Sequence, residues 1–371
     1  MPKMGKFFRA DQIGSLLRPP ELLDARDACK AGRISMAQLR AVEDQSILTA
    51  LAMQCEVGLE IFSDGEMRRD AWQTNVSQAV EGFEAAYPVR ESTTPDGRRV
   101  RIEMHAKGVE RKLRQIRRIA QVDAAFMREH SPGPFKITMP SPAAVARAGY
   151  RRGVTEKAYP RREELHRDLA DIIRGEMQAL VADGAGYLQL DEGFNSYVNE
   201  DWRAQLRAQG LDPQRSLELD IAVDNSCYDA VAGSGVTRAM HLCRGSRTSW
   251  EHGSGGYQWL AERLLGALHV DRFLLEYDSA LVGGFEPLRF VPKGKVVVLG
   301  LVSSKNPRLE TIDELRRKID EAAKYCPLEQ LAISTQCGFQ GAADRDGAHM
   351  TIDEQRRKLE LVVETARQVW G

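Results

Sequence analysis

The sequence predicts an α/β protein built as a (β/α)8 TIM barrel with an inserted β-hairpin after strand 2. Short apolar segments alternate with amphipathic stretches along almost the whole chain, which is the pattern of strands joined by crossover helices in a parallel sheet. Eight such strand-like segments are present, the number that closes a barrel. The main competing fold is a doubly wound sheet. The first strand–helix junction reads IGSLLRPPEL and lacks the G-x-G-x-x-G that a dinucleotide pyrophosphate needs there.

In chain order the predicted strands are Gln12–Ser15, Glu60–Glu66, Phe135–Pro140, Tyr187–Glu192, Ala239–Cys243, Phe273–Asp278, Val296–Val302 and Leu331–Cys337. After the first, Leu39, Val42, Ile47, Leu48, Leu51 and Cys55 form an apolar stripe at helical spacing that would pack outside the barrel. After the last, Leu359, Val362, Val363 and Ala366 recur at the same spacing within 351–370 and would close the ring. Phe83–Val89 and Arg99–Ala106 flank Pro95-Asp96-Gly97, which reads as the inserted hairpin, spanning approximately 82–107. No linker or low-complexity tract divides the chain, so residues 1–371 are expected to form one catalytic barrel. Gly253-Ser254-Gly255-Gly256 does not sit directly between a strand and a helix and reads as a mobile loop, with a lid over the site as the alternative.

Composition narrows the function classes. The 371 residues carry 52 Lys and Arg against 53 Asp and Glu, a near balance that argues against a nucleic-acid partner. No apolar run approaches the roughly 18 residues of a membrane span, and the start of the chain offers no long apolar stretch for export. A cytoplasmic location is expected, and oligomeric state is left open. Six cysteines in a chain of this length are too sparse for a disulfide scaffold, which turns attention to metal binding or catalysis.

In a barrel of this kind the site lies at the C-terminal ends of the strands. The residues there are Ser15, Glu66, Ser141, Asp191 with Glu192, His241 with Cys243, Glu276, Ser303 with Ser304, and Cys337. His241 and Cys243 are two apart on a strand, so both side chains share a face and reach one ion. Glu276 and Cys337 end two later strands. One nitrogen, two thiolates and one carboxylate suit Zn2+ better than magnesium or copper(II). Taken singly, Cys243 and Cys337 read as buried small hydrophobes and His241 as a satisfied core histidine; it is their joint placement that favours metal. Glu66 and Asp191 would hold an ammonium group or act as acid and base, the competing reading being salt bridges to Arg18, Arg68 or Arg69.

Six ordered motifs, FRADQIGSLLRP, FSDGE, LQLDE, HLCRGS, FLLEYD and STQCGF, resemble the catalytic half of cobalamin-independent methionine synthase over essentially the whole chain. The resemblance implies the same barrel, with His241, Cys243, Glu276 and Cys337 on the catalytic zinc. Ser15, Glu66 and Asp191 would hold the carboxylate and amino group of homocysteine, beside a small-molecule methyl donor. The reaction implied is that of a 5-methyltetrahydropteroyltriglutamate–homocysteine methyltransferase, a step of methionine biosynthesis. Three departures matter. The N-terminal barrel of the long enzymes has no counterpart in these residues, as in the short single-barrel branch. KITMPSP carries no Trp where the long enzymes stack the pterin. Ser303 and Ser304 stand near the place of the His that relays a proton to the leaving folate. The short branch also includes epoxyalkane:coenzyme M transferases, which alkylate another thiol with the same chemistry.

A free thiol is mostly protonated at neutral pH, whereas a zinc-bound one is deprotonated. With two thiolates and a carboxylate on the metal, the zinc is a weakened Lewis acid and leaves the substrate sulfur nucleophilic. A zinc-dependent hydrolase is the less favoured alternative, because hydrolytic sites usually carry His and carboxylate ligands. A non-catalytic protein with a structural zinc would bury all four ligands in a closed set.

Overall fold

The computed structural model describes residues 8–84, 89–93, 99–103, 107–244, 256–343 and 350–371. Ten strands are present among them: β1 Val80–Phe83, β2 Val89–Thr93, β3 Arg99–Glu103, β4 Val109–Gln115, β5 Lys136–Pro140, β6 Tyr187–Glu192, β7 Thr237–Leu242, β8 Arg272–Glu276, β9 Val296–Val302 and β10 Leu331–Thr335. The last six form one parallel sheet in the order of the chain; α-helices cross between them except from β8 to β9, where two short 3-10 turns stand instead.

The ring is completed by two segments too irregular to count as strands. Ala10 pairs in parallel with Ile333 of β10, and Phe62 with Phe135 next to β5. These two segments meet each other, since Leu16 N–H donates to the Gly65 carbonyl at 3.0 Å and the Ser63 hydroxyl to the Gly14 carbonyl at 2.8 Å. The predicted strands Gln12–Ser15 and Glu60–Glu66 therefore shrink to single bridges, the first of them displaced to Ala10. The physical reason is local. Gly14 and Gly65 take left-handed φ values of 142° and 65°, and so does Glu66 at 59°, a conformation incompatible with a strand.

Alternation along the strands separates two cores. Tyr187, Ala239, Leu274, Val296, Val298 and Ala332 pack together with Phe8, Ile13 and Ile61 and fill the barrel. Their neighbours Leu188, Leu190, Met240, Leu242, Phe273, Leu275, Val297, Leu299, Leu331 and Ile333 belong to a larger cluster packed against the helices. This period of two fixes which side chains climb the barrel interior. On β6 they are Tyr187, Gln189 and Asp191.

The helices start where capping predicts. Ser35 with Gln38, Thr311 with Glu314 and Thr351 with Glu354 form capping boxes, each satisfying orphan N–H groups of the first turn. In the helix Met36–Glu56 the buried face is Leu39, Glu43, Ser46, Ile47, Ala50, Leu51 and Gln54. Leu48 and Cys55 of the predicted stripe are exposed. The helix Ile352–Trp370 buries Leu359, Val362, Val363 and Ala366.

Between the Phe62 bridge and β5, β2 pairs antiparallel with β3, and β1 with β4. The first arm of the inner pair is Val89–Thr93 rather than Phe83–Val89, because Phe83 pairs with Val109. Pro95-Asp96-Gly97 lies outside the described residues, as does most of the glycine run, Gly253-Ser254-Gly255. Among the described residues no helix is long and apolar enough to cross a membrane.

Candidate metal centre and substrate site

His241 and Glu276 rise from β7 and β8 on the barrel-facing side, two residues above Ala239 and Leu274. Cys243 follows just past β7. Cys337 arrives differently: on an unbroken strand it would share the helix-facing side of Ile333, but the β9–β10 register shifts between Ser334 and Thr335, and two residues later Cys337 turns into the barrel mouth. One donor atom from each of His241, Cys243, Glu276 and Cys337 lies within 4.8 Å of every other. The two Sγ atoms are 3.9 Å apart, and Cys337 Sγ is 3.6 Å from His241 Nε2. A tetrahedral zinc with its usual bond lengths spaces two sulfurs by about 3.8 Å, and sulfur from nitrogen by about 3.6 Å. His241 Nε2 to Glu276 Oε1, at 3.9 Å, is slightly open by the same measure. The donor set fits zinc in both chemistry and spacing.

The groups around the cluster orient its members. His241 Nδ1 faces the Leu274 carbonyl at 3.3 Å; a carbonyl only accepts, so Nδ1 carries a proton and Nε2 is the nitrogen that would ligate a metal. Glu276 is fully buried. Its Oε1 accepts the Arg244 backbone N–H at 2.8 Å, while Oε2 meets Gln336 Nε2 at 3.3 Å and Lys305 Nζ at 3.4 Å. Burial, then the Cys243 charge, pushes Glu276 up to about 7. Burial opposes a charged His241, but the hydrogen bond and charge of Cys243, with Asp191 and Glu276, outweigh it and lift the imidazole to about 9. The hydrogen bond to Cys243, then burial, drives the Cys337 thiol well above its usual range. Burial and mutual repulsion thus both disfavour anionic donors here, with Lys305 as a partial counter-charge on Glu276, and a divalent cation among the four would favour them.

Across the mouth, Glu66 is buried in a strained left-handed backbone. Its Oε1 accepts from Thr138 Oγ1 at 2.8 Å and from Arg69 at 3.2 Å; its Oε2 is buried without a partner. The salt bridge to Arg69 and the open oxygen coexist, so the pairing with arginine leaves half of the carboxylate available. Asp191 accepts from Gln189 Nε2 at 2.8 Å. Burial pushes it up to about 7, with the Glu66 charge adding and His241 opposing. Ser15 is buried beside the cluster: a Cβ on Gly338, the residue after Cys337, would lie 1.9 Å from its hydroxyl.

Other strand-end residues serve different ends. Ser141 caps the helix Pro142–Gly149 through Ala144 N–H. Glu192 turns away from the barrel to pair with Arg147. Ser303 donates to Asp278 at 3.0 Å and Ser304 to Gln336 at 2.9 Å. Burial disfavours the charged form of Lys305, but Glu276 and Asp278 overcompensate and raise it further, so it is a poor acid near neutrality. Sequence reasoning missed Gln189, Thr138 and Gln336. Their signal was present in the period of two, since Gln189 stands two before Asp191 and Thr138 two before Pro140.

The model of the cobalamin-independent synthase catalytic domain matches residues 8–368. This chain belongs to that family. Among its relatives, YxjH of Bacillus subtilis is 34% identical over 373 residues, covering 98% of this chain and 95% of its own. The methionine synthase of Sulfurisphaera tokodaii is 27% identical over 331 residues, 88% of this chain and 84% of its own. A Listeria monocytogenes structure described as a candidate vitamin-B12 independent methionine synthase matches with a TM-score of 0.75 at 29% identity, covering 98% of each chain. At the level of the family, this is an enzyme of methyl transfer.

Proposed function

We propose that the chain transfers a methyl or related alkyl group to a thiol activated at a zinc centre formed by His241, Cys243, Glu276 and Cys337, with homocysteine as acceptor and methionine as product. The observation that carries the reading is the cluster, whose S···S and S···N separations of 3.9 and 3.6 Å match a tetrahedral zinc site. Bound there, zinc would supply the charge that keeps a thiol ionised at neutral pH.

The protein's own residues then orient the acceptor. The unpartnered Glu66 oxygen and Asp191 face the cluster as a pair of carboxylates suited to an ammonium group, and Ser15 offers a hydroxyl for the substrate carboxylate. This pair favours an amino-acid thiol over a sulfonate thiol such as coenzyme M. Two thiolates in the donor set argue against a hydrolase, because they lower the acidity of bound water.

The donor is distinguished by its leaving group. Expelling reduced folate requires a proton on a poor leaving nitrogen, and a positioned acid commonly contributes roughly 10²–10⁴-fold to such a step. At the end of β9 the hydroxyls of Ser303 and Ser304 are committed to Asp278 and Gln336, and Lys305 holds its proton tightly. Methylated folate should therefore be a slow donor, and a methylated corrinoid, a sulfonium or a strained epoxide a faster one. Turnover with homocysteine and each donor at matched concentration tests this. Folate outrunning the others would overturn the donor argument, and no turnover with any donor would overturn the proposal itself.

A further inference from the structure

Beneath Asp191 the barrel holds a buried cation that the site described above does not use. Lys136 on β5 is completely buried, which costs several kcal/mol unless its charge is matched and its protons are bonded. All three protons are engaged: Nζ donates to Asp11 Oδ1 at 2.7 Å, to the Gln12 carbonyl, and to Gln189 Oε1 at 3.0 Å. Gln189, also fully buried, places both of its amide protons, on the Ile13 carbonyl at 2.7 Å and on Asp191 Oδ1 at 2.8 Å.

This arrangement has only one polarity. Lys136 can only donate and the Ile13 carbonyl can only accept. Turning the Gln189 amide over would set N–H against ammonium on one side and oxygen against oxygen on the other. The amide is therefore locked with its protons toward Asp191, and Asp191 Oδ1 is held as an acceptor. We propose that Lys136 and Gln189 are positioning residues that fix the polarity of Asp191, so that its carboxylate is presented, aimed and ready to accept, to the ammonium of the thiol substrate. The inference rests on the reading of Asp191 as part of the acceptor site, and it adds a specificity device: selection for a thiol bearing a primary amine is built from the barrel floor upward.

The test compares homocysteine with 4-sulfanylbutanoate, which lacks only the amino group, in calorimetric binding to the zinc-loaded protein. The native protein should prefer homocysteine by about 100-fold or more, since the two charge-assisted contacts to Glu66 and Asp191 are lost with the amino group. Gln189→Glu keeps the contact to Lys136 but sets a second carboxyl against Asp191, so the pair shares a proton and Asp191 loses its full charge; Gln189→Met keeps the volume and removes all three bonds, to Lys136, the Ile13 carbonyl and Asp191. Each should retain zinc and bind 4-sulfanylbutanoate as before, while the preference falls by about 10-fold or more, because the Asp191 contact is weakened and the Glu66 contact remains. Parallel weakening of both thiols, or an undiminished preference in whichever variant folds, overturns the inference. Without any substitution, the Gln189 side-chain amide resonances of the native protein should shift with homocysteine and not with 4-sulfanylbutanoate, and equal shifts also overturn it. A native protein indifferent to the amino group would instead remove the acceptor reading on which the inference stands.

Discussion

Replacing Cys243 or Cys337 by Ser exchanges a soft thiolate for a hydroxyl that stays protonated, in a site left with one thiolate, one imidazole and one carboxylate. Such a set holds zinc poorly, so elemental analysis should fall from about one zinc per chain to well below that in each variant. Unchanged zinc in both would contradict the assignment of the four ligands. Asp191→Asn and Glu66→Gln act on the acceptor instead. Each should weaken homocysteine binding by about 1.5–3 kcal/mol, the worth of a hydrogen bond to a charged group, while leaving zinc in place; a titration calorimeter reads both. The sequence made His241 and Cys243 legible as a pair because two residues on a regular strand share a face. It was less informative for Cys337, whose position depends on the register shift after Ser334. The strained conformation of Glu66 and the bond from Lys136 to Gln189 are tertiary outcomes with no local signature.

At the scale of elements, Gly300 shows how β9 and its neighbours deliver these side chains. It lies opposite Glu276 on β8, and a Cβ there would come within 2.7 Å of Gln336 Cα and 2.9 Å of the Leu275 carbonyl. Both are backbone atoms, which cannot swing aside. Gly300→Ala should destabilise the fold by about 1–3 kcal/mol, the usual cost of overpacking, and loosen zinc by displacing Glu276 and Gln336. Urea unfolding and a competitive chelator titration check the two effects, and a variant with native stability would contradict the close packing. β6 and β9 run over the same residues as their sequence segments, because Tyr187–Glu192 is bounded by Gly186 and Gly193, and Val296–Val302 is an apolar run between Lys295 and Ser303. The first two barrel segments were misplaced because Gly14, Gly65 and Glu66 bend the chain just where polarity marks a strand end. The apolar stripe of the helix Met36–Glu56 was misjudged at Leu48 and Cys55, since the face is filled out by buried Glu43 and Gln54, the former bonded to Arg26 at 3.0 Å.

Across the whole molecule, one alternation accounts for both stability and site. The same inward positions that carry Tyr187, Ala239, Leu274 and Val298 in the lower barrel carry Asp191, His241, Cys243 and Glu276 at its mouth, with the buried Lys136–Gln189 layer between on the β5–β6 side. Family membership and barrel agree with that layout, and the central claim built on it is that homocysteine sulfur joins a zinc held by His241, Cys243, Glu276 and Cys337. X-ray absorption at the zinc edge, recorded without and with homocysteine, addresses the claim most directly. The account predicts two sulfurs and two lighter atoms around zinc in the free protein, and a further sulfur at about 2.3 Å once homocysteine is added. A shell of nitrogen and oxygen alone, or a sulfur count that homocysteine leaves unchanged, would contradict it.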